Sequence, residues 1–160
     1  MAQNNAISSE AWGKVSRVIG KKVAATLEGI EREVARRAYR ASNELRNASL
    51  LVLRGDGTGK VYRVPGTKAY YTASAPGESP AVRNGTFRAS WGAHIHVEKQ
   101  GKQFQAMSAI ESNLKAGSRP LGEILENGSR KMKPRPYKQK VIDMALPKIK
   151  SIYNSPYKGV

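Results

Sequence analysis

The sequence contains no cysteine among its 160 residues, which excludes disulfide bonds, thiolate metal sites and redox chemistry at cysteine. It also lacks any window approaching the roughly 18 uninterrupted apolar residues of a membrane span. The first ten residues have no basic run followed by an apolar core, as a cleaved signal would have. We therefore expect a soluble protein that matures in a reducing cytoplasm and has no membrane partner.

Acidic residues are scarce: 12 Asp and Glu stand against 28 Lys and Arg, for a formal net charge of +16. Such an excess favours association with a polyanion or with an acidic protein surface, although it does not determine the fold. Nucleic acid and an acidic partner protein both remain open as candidates.

Groups that could perform catalysis are also few. The only two histidines, His94 and His96, lie two residues apart in a predicted strand, so they share one face and form a possible metal pair. No third ligand has a suggestive spacing, and a polar strand surface is the favoured interpretation. Ser74, Ser79 and Ser90 lack the G-x-S-x-G context of a serine nucleophile. We predict no catalytic residue, no cofactor and no metal site.

The segment from Arg54 to Gly59 is predicted to be a flexible loop because three of its six residues are glycine. Gly55 to Lys60 resembles a phosphate-binding loop, but it has three residues between the glycines instead of four and no Ser or Thr after the lysine. The Arg-Gly-Asp tripeptide at 54–56 is a chance match. Neither motif supports a function.

The N-terminal third of the chain is predicted to be one long amphipathic helix. Apolar residues recur every three or four positions from Trp12 to Leu45, in nine steps over 33 residues. The mean spacing of 3.67 residues favours a straight packing stripe over a left-handed coiled coil. Ser8 to Glu10 supplies an N-cap and an acidic first turn. The predicted helix spans residues 8–51, and Leu50 to Leu53 either closes it or begins a strand.

The middle of the chain, residues 58–128, is predicted to hold short strands and helices. Tyr62 to Thr72 indicates a two-stranded arm around a Pro-Gly turn, and alternation from Ala93 to Ile110 indicates a hairpin with one wet face. Pro120 to Asn127 is predicted to form a short helix ended by Gly128 in a left-handed conformation. These elements make an α+β fold with a small antiparallel sheet, and one domain accounts for residues 1–160.

The stretch from Tyr70 to Trp91, which we name the elbow segment, is rich in turn residues yet regularly patterned. We predict that it is a rigid joint between the long helix and the sheet. Its aromatic residues and neighbouring arginines are compatible with stacking on bases, but packing on the sheet is favoured. The predicted structural positions are Pro76, Gly77, Pro80, Gly85 and Trp91.

The C-terminal fifth, residues 129–160, carries nine Lys or Arg and only one acid, Asp143. Its net charge, 9 − 1 = +8, is half of the +16 of the whole chain. A basic loop, Ser129 to Arg135, precedes a helix predicted to begin at Pro136, to be kinked or split at Pro147, and to end near Tyr153. The tail from 154 to 160 is predicted to be frayed or bound to something. The basic residues predicted to face DNA or an acidic partner are Arg130, Lys131, Lys133, Arg135, Lys138 and Lys140, with Arg83 and Arg88 of the elbow segment.

Two groups of short stretches, one within residues 62–91 and one within residues 125–137, resemble the sequence pattern of a known family. The residues are YRVPGT at 62–67, ASAPGESPAVRNG at 73–85 and FRASW at 87–91, followed by LENGS at 125–129 and RPY at 135–137. The order of these landmarks after a long helix is similar to that of the neck and tail-completion proteins of long-tailed bacteriophages, which join the head to the tail.

The resemblance implies an α+β subunit without catalytic activity that assembles into a ring in the virion, six-fold by preference or twelve-fold, after synthesis in the bacterial cytoplasm. Its expected partners are portal-side neck proteins, tail-tube or tail-terminator proteins, and genomic double-stranded DNA that passes through the lumen. Lysines facing that lumen would neutralise phosphates without reading sequence. The alternative from the residues alone is a free basic DNA-binding protein of packaging or regulation.

Overall fold

The long N-terminal helix is confirmed. The computed structural model describes residues 9–157, in which α1 is a single helix of 44 residues from Ser9 to Val52, about 66 Å long. Leu50 to Val52 belong to this helix and not to a strand; the side chain of Leu53, which follows, is buried in the core. The predicted cap residue Ser8 lies outside the described residues.

Three two-stranded antiparallel sheets follow α1. The predicted arm is confirmed as β1, Val61–Arg63, and β2, Tyr70–Thr72, with a φ of +76° at Gly66 in its turn. The predicted hairpin is confirmed as β3, Trp91–Gln100, and β4, Gln103–Ser112. A third pair, β5 (Lys115–Ala116) and β6 (Arg119–Pro120), was not predicted, because two-residue strands leave no alternation in the sequence.

Three further helices complete the part of the chain that the structure describes. They are α2, Thr86–Ala89, α3, Leu121–Asn127, and α4, Lys138–Asn154. The prediction that Pro136 is the first helical residue is wrong, because the N-cap is Tyr137, and the chain enters the helix at Lys138. The predicted split at Pro147 is also wrong, because α4 is one helix. The carbonyl of Asp143 loses its helical hydrogen bond, since proline has no N–H to donate. Both residues are exposed, so water can replace the missing hydrogen bond.

The core lies where the second half of α1 packs against α4 and the β3–β4 hairpin. The hairpin turns the side of β4 that carries Phe104, Ala106 and Ser108 towards α1, and the Ser108 hydroxyl donates to the carbonyl of Ala38 over 2.8 Å. Buried small residues on α1 allow this close approach. The buried centre consists of Ala48, Leu53, Tyr137, Val141 and Ala145, with Leu45, Phe87, Trp91, Ile110, Leu125 and Ile149 packed around it.

The C-terminal tail is bound as far as Tyr157. After α4 the chain stays in contact with α1, where Arg37, only 2% exposed, donates hydrogen bonds to the carbonyls of Tyr153 and Pro156. Its guanidinium also lies 3.9 Å from the centre of the Tyr157 ring. Of the two predicted alternatives, frayed or bound, residues 156 and 157 show the second, because they contact Arg37 of the same chain. Residues 158–160 lie outside the described part of the chain.

Candidate assembly and polyanion-binding surfaces

The first half of α1 projects beyond the rest of the described chain. The tip of the β3–β4 hairpin reaches α1 at Glu31, where the ammonium of Lys99 lies 2.7 Å from the carboxylate. From Glu10 to Ile30 nearly every residue is exposed, which corresponds to about 30 Å of helix. The amphipathic pattern therefore continues into a region where the described residues offer nothing to pack against.

The apolar face of this projecting half is a continuous stripe, which we name the α1 stripe. Its side chains are 38–57% exposed and recur at helical spacing, so they lie on one side of the helix. Charged residues occupy the opposite side. The α1 stripe consists of Trp12, Val15, Ile19, Val23, Leu27 and Ile30.

The predicted basic residues between α3 and the start of α4 form a second surface. Gly128 ends α3 with a positive φ of +79°, as predicted, but its ψ of −172° is extended instead of left-handed helical. A β-carbon there would come within 2.8 Å of the carbonyl oxygen of Met132, so the loop closes tightly on itself. Ser129 and Met132 exchange backbone hydrogen bonds across this turn. The sequence of the loop thus fixes an outward-facing basic turn.

The side chains of this surface are exposed, with one exception. Arg135 is partly buried, because its backbone N–H donates to the carbonyl of Leu125 over 2.8 Å and holds it against α3. Within residues 9–157 none of the six predicted basic side chains forms an ion pair with a carboxylate. The exposed members, which we name the basic segment, are Arg130, Lys131, Lys133, Lys138 and Lys140.

The elbow segment contains a turn that is tied at both ends. Pro76 and Gly77, with φ +84°, occupy its centre, and the Glu78 N–H donates to the carbonyl of Ala75. The Glu78 carboxylate accepts hydrogen bonds from the Ala75 N–H and from the N–H and hydroxyl of Thr58. These bonds, the Thr58 hydroxyl foremost, hold the pKa of Glu78 below its ordinary value. The carboxylate therefore fastens the preceding loop to the turn.

The prediction of a flexible loop at 54–59 is consequently wrong for its second half. Besides the Thr58 bonds, the Gly59 N–H donates to the carbonyl of Ala73 over 2.8 Å. Gly57 lies so close to the same carbonyl that a β-carbon would overlap with it. The glycines here serve close backbone approach, which the sequence does not distinguish from flexibility.

The elbow segment and the basic turn are brought together. The Gly77 N–H donates to the carbonyl of Pro134 over 3.1 Å, and the Ser79 hydroxyl lies 3.5 Å from the carbonyl of Pro136. The positive charge of Lys140 also contributes to lowering the pKa of Glu78. Residues that are 57 apart in the sequence are therefore in contact, and the two regions form one surface.

The remaining predicted elbow positions have different surroundings. Pro80 is buried, and Gly85, with φ +78°, begins the turn into α2. Trp91 starts β3 and packs edge-on against Phe87 and Tyr137, with ring centres 5.6 and 6.0 Å away. This cluster supports packing, and not base stacking, as the use of Trp91 and Tyr137.

Sequence reasoning missed the role of Glu126. Its carboxylate accepts hydrogen bonds from the N–H groups of Tyr137 and Lys138, the first turn of α4. A carboxylate at this position satisfies free N–H groups and complements the helix dipole. Burial, reinforced by the negative charge of Glu126, raises the pKa of the Tyr137 hydroxyl above its ordinary value. The only available signal was the position of a glutamate just before the basic turn and of an aromatic residue just after it.

The two predicted arginines of the elbow segment lie on either side of the start of α2. The Arg83 guanidinium is exposed, 5.8 Å from the centre of the Tyr71 ring. Arg88 is partly buried, and its Nε atom is buried without a hydrogen-bond partner in the described part of the chain. Both arginines lie outside the basic segment as it is defined above.

The histidines are exposed on the outer face of the hairpin. His96 Nε2 lies 2.9 Å from a carboxylate oxygen of Glu111 on the neighbouring strand. Across residues 9–157, no group of three or more His, Cys, Asp or Glu side chains is placed to hold a metal ion. Over the same residues, no helix combines the length and the apolar content needed to cross a bilayer.

Comparison of the chain with models of protein families, with curated proteins and with solved structures finds no match.

Proposed function

We propose that this chain is a structural subunit of a phage head-tail connector, which assembles into a ring between the DNA-filled capsid and the tail. The observation that carries the proposal is the α1 stripe, an apolar surface about 30 Å long that the described part of the chain leaves uncovered. Exposed apolar patches of this extent are typical of protein–protein interfaces. No catalytic role is proposed.

The energetic argument favours several contacts per subunit. Fully burying one Val, Leu or Ile side chain contributes roughly 1.5–3 kcal/mol, and the six side chains of the α1 stripe are about half exposed, so covering them contributes about 5–9 kcal/mol. Association costs roughly 4–15 kcal/mol. A single stripe thus barely offsets the cost, whereas a closed ring, in which each subunit has two neighbours, adds a second interface. A hexamer is our preferred ring, and a dodecamer is the alternative.

The basic segment supports the same proposal. Five exposed cations without ion-pair partners in residues 9–157 would lower the electrostatic cost of a confined DNA duplex, or would meet an acidic face of a portal-side or tail-side protein. Non-specific phosphate contacts suffice for DNA that only passes through. The same cations favour the second candidate function, a free DNA-binding protein, which predicts an affinity that falls steeply with salt.

The decisive experiment compares particles made with and without this protein by electron microscopy. We expect filled heads and separate tails in its absence, and the return of joined particles when it is supplied. Normally joined particles without it would refute the proposal. Strong binding of the isolated protein to duplex DNA at about 150 mM salt, with no assembly on particles, would favour the second candidate instead.

Two double variants test the α1 stripe directly. Ile19→Glu with Val23→Glu places two charges within the stripe, and Ala24→Glu with Ala25→Glu places the same two charges outside it. The helix propensity of glutamate is higher than that of isoleucine and valine and only slightly lower than that of alanine, so α1 should persist in both variants. We expect joining to fail only for the stripe variant. Equal joining in both would remove the stripe from the mechanism.

A further inference from the structure

A cleft of about 500 Å³ opens between the elbow segment and α3. Its walls come from five separate stretches of the chain, which meet only after folding. They are largely aliphatic and aromatic, and the residues that give the cleft its apolar character are Leu53, Val82, Phe87, Leu121, Leu125 and Met132. The size and the lining are those of a pocket that holds side chains of a ligand.

Three arginines also line this cleft: Arg83 and Arg88 from the elbow segment and Arg135 from the end of the basic turn. None of the residues that line it is Asp or Glu. Within the described ranges, none of the three guanidiniums forms an ion pair or donates a hydrogen bond. The cleft therefore combines apolar walls with three uncompensated positive charges.

Arg88 provides the most specific sign. Its Nε–H is buried and has no acceptor within residues 9–157, although buried donors in proteins are almost always paired. Leaving such a donor unpaired is unfavourable, and hydrogen bonds to charged groups are stronger than neutral ones. Arg88 lines the cleft, so a carboxylate that entered it would meet this guanidinium and would offer the Nε–H an acceptor once the side chain shifts to uncover that atom.

The apolar walls distinguish this site from the basic segment. A DNA duplex presents mainly hydrated phosphates on a wide, polar surface, and its apolar groups, such as the thymine methyls, lie within the grooves. The basic segment offers exposed lysines to such a surface. The cleft instead requires a ligand that carries apolar groups and a negative charge side by side.

We propose that the cleft binds an extended segment of a partner protein in which an Asp or Glu lies next to large apolar residues. The apolar side chains fill the space against α3, and the carboxylate pairs with Arg88 and Arg135. This inference depends on the cleft alone and does not require the ring described above. It assigns Arg83 and Arg88 to a protein partner and not to DNA.

The test begins with a library of random dodecapeptides selected against the full-length protein. We expect the selected peptides to share an acidic residue flanked by large apolar residues. The affinity of the most enriched peptide is then measured by fluorescence anisotropy for wild type and for Arg88→Gln and Arg135→Gln. Each substitution should weaken binding about tenfold or more, because it removes a charged donor. Replacing the peptide's carboxylates by amides should have a similar effect.

Arg119→Gln is the matched control, because Arg119 is exposed on β6, does not line the cleft and loses the same charge. It should leave peptide affinity within about twofold of wild type. Arg88→Gln removes no hydrogen bond within the described chain, so its thermal midpoint should match that of wild type, which separates lost binding from lost folding.

Three results would overturn the proposal: no enrichment of any peptide, enriched peptides without acidic residues, or equal affinity for wild type and both cleft variants. A short DNA duplex that displaces the peptide, and whose own affinity falls with Arg88→Gln, would assign the cleft to nucleic acid instead. The stripe variant Ile19→Glu with Val23→Glu should bind the peptide normally. Failure of the ring and failure of the cleft are thus observed separately.

Discussion

Replacing Arg37 by methionine is expected to release the C-terminal tail from α1 and to destabilise the fold. Arg37 is 2% exposed, and its guanidinium donates to the carbonyl of Tyr153 over 3.1 Å and to that of Pro156 over 3.0 Å. It also lies against the Tyr157 ring and pairs with Glu33. Methionine fills a similar volume but supplies neither the charge nor the donors.

The size of the effect follows from these contacts. A hydrogen bond to a charged donor contributes roughly 1.5–3 kcal/mol, and the lower value applies here because Tyr153 and Pro156 are exposed and their carbonyls can regain water. The contact with the Tyr157 ring adds about 0.5–1 kcal/mol. Together the loss is about 3.5–4 kcal/mol, which lowers the Tm of a chain of this length by about 7–16 °C.

Arg36→Met is the control, because Arg36 is the next residue, its side chain is 69% exposed, and within the described residues it pairs only with Glu33. Its effect should be below about 1 kcal/mol. Thermal unfolding by circular dichroism measures both variants, and hydrogen exchange at residues 152–157 reports the tail. Equal melting of the two variants, or a tail that stays protected in Arg37→Met, would refute the reasoning.

Three further predictions concern the elbow segment and the aromatic cluster. Tyr137→Phe should cost about 1 kcal/mol at neutral pH, because the bond from the hydroxyl to the carbonyl of Gly122 is lost. The folded pKa of Tyr137 lies above its ordinary 10.0, so wild type should lose stability as pH rises beyond about 10, and it should lose more than the variant does. Glu78→Gln should lower the Tm at about pH 7, because the folded pKa of Glu78 lies below 4.5 and its ionised carboxylate stabilises the fold there. The difference in Tm between wild type and variant should vanish as pH falls through the folded pKa of Glu78, because protonation weakens the bonds to Thr58 in wild type. Gly57→Ala should destabilise by about 1–3 kcal/mol through overlap with the backbone after β2, whereas Gly55→Ala, which meets nothing within 4 Å, should be near neutral; urea unfolding distinguishes them.

Local patterns were sufficient to predict most of the elements. The apolar spacing of α1, the alternation of β3 and β4, and the Pro-Gly turn of the arm are properties of neighbouring residues, and each is present in the structure. Errors occurred where a distant contact overrides a local signal. Pro136 reads as a helix start, but the cap of α4 is set by the carboxylate of Glu126, and the glycines at 57 and 59 read as flexible, although they are packed against Ala73.

The candidate surfaces were predicted only in part for the same reason. The basic segment is contiguous in sequence, so its charge could be counted before the fold was known. The cleft could not, because its lining comes from residues 53, 71, 80–88, 114–125 and 132–135, which the fold brings together. The contact of Arg37 with the tail joins residues 119 apart in the sequence. No pattern of neighbouring residues encodes such a pair.

The Lys99–Glu31 contact divides α1 into two parts with different folding thermodynamics. Because residues 10–30 are exposed, we expect them to open locally at little free-energy cost, whereas the packed part after Glu31 should unfold together with the core. The packed part already supplies the helical nucleus, so the projecting part extends it without a separate nucleation step. Docking of that part onto another molecule therefore need only suppress fraying, and it can occur late, after the subunit itself has folded.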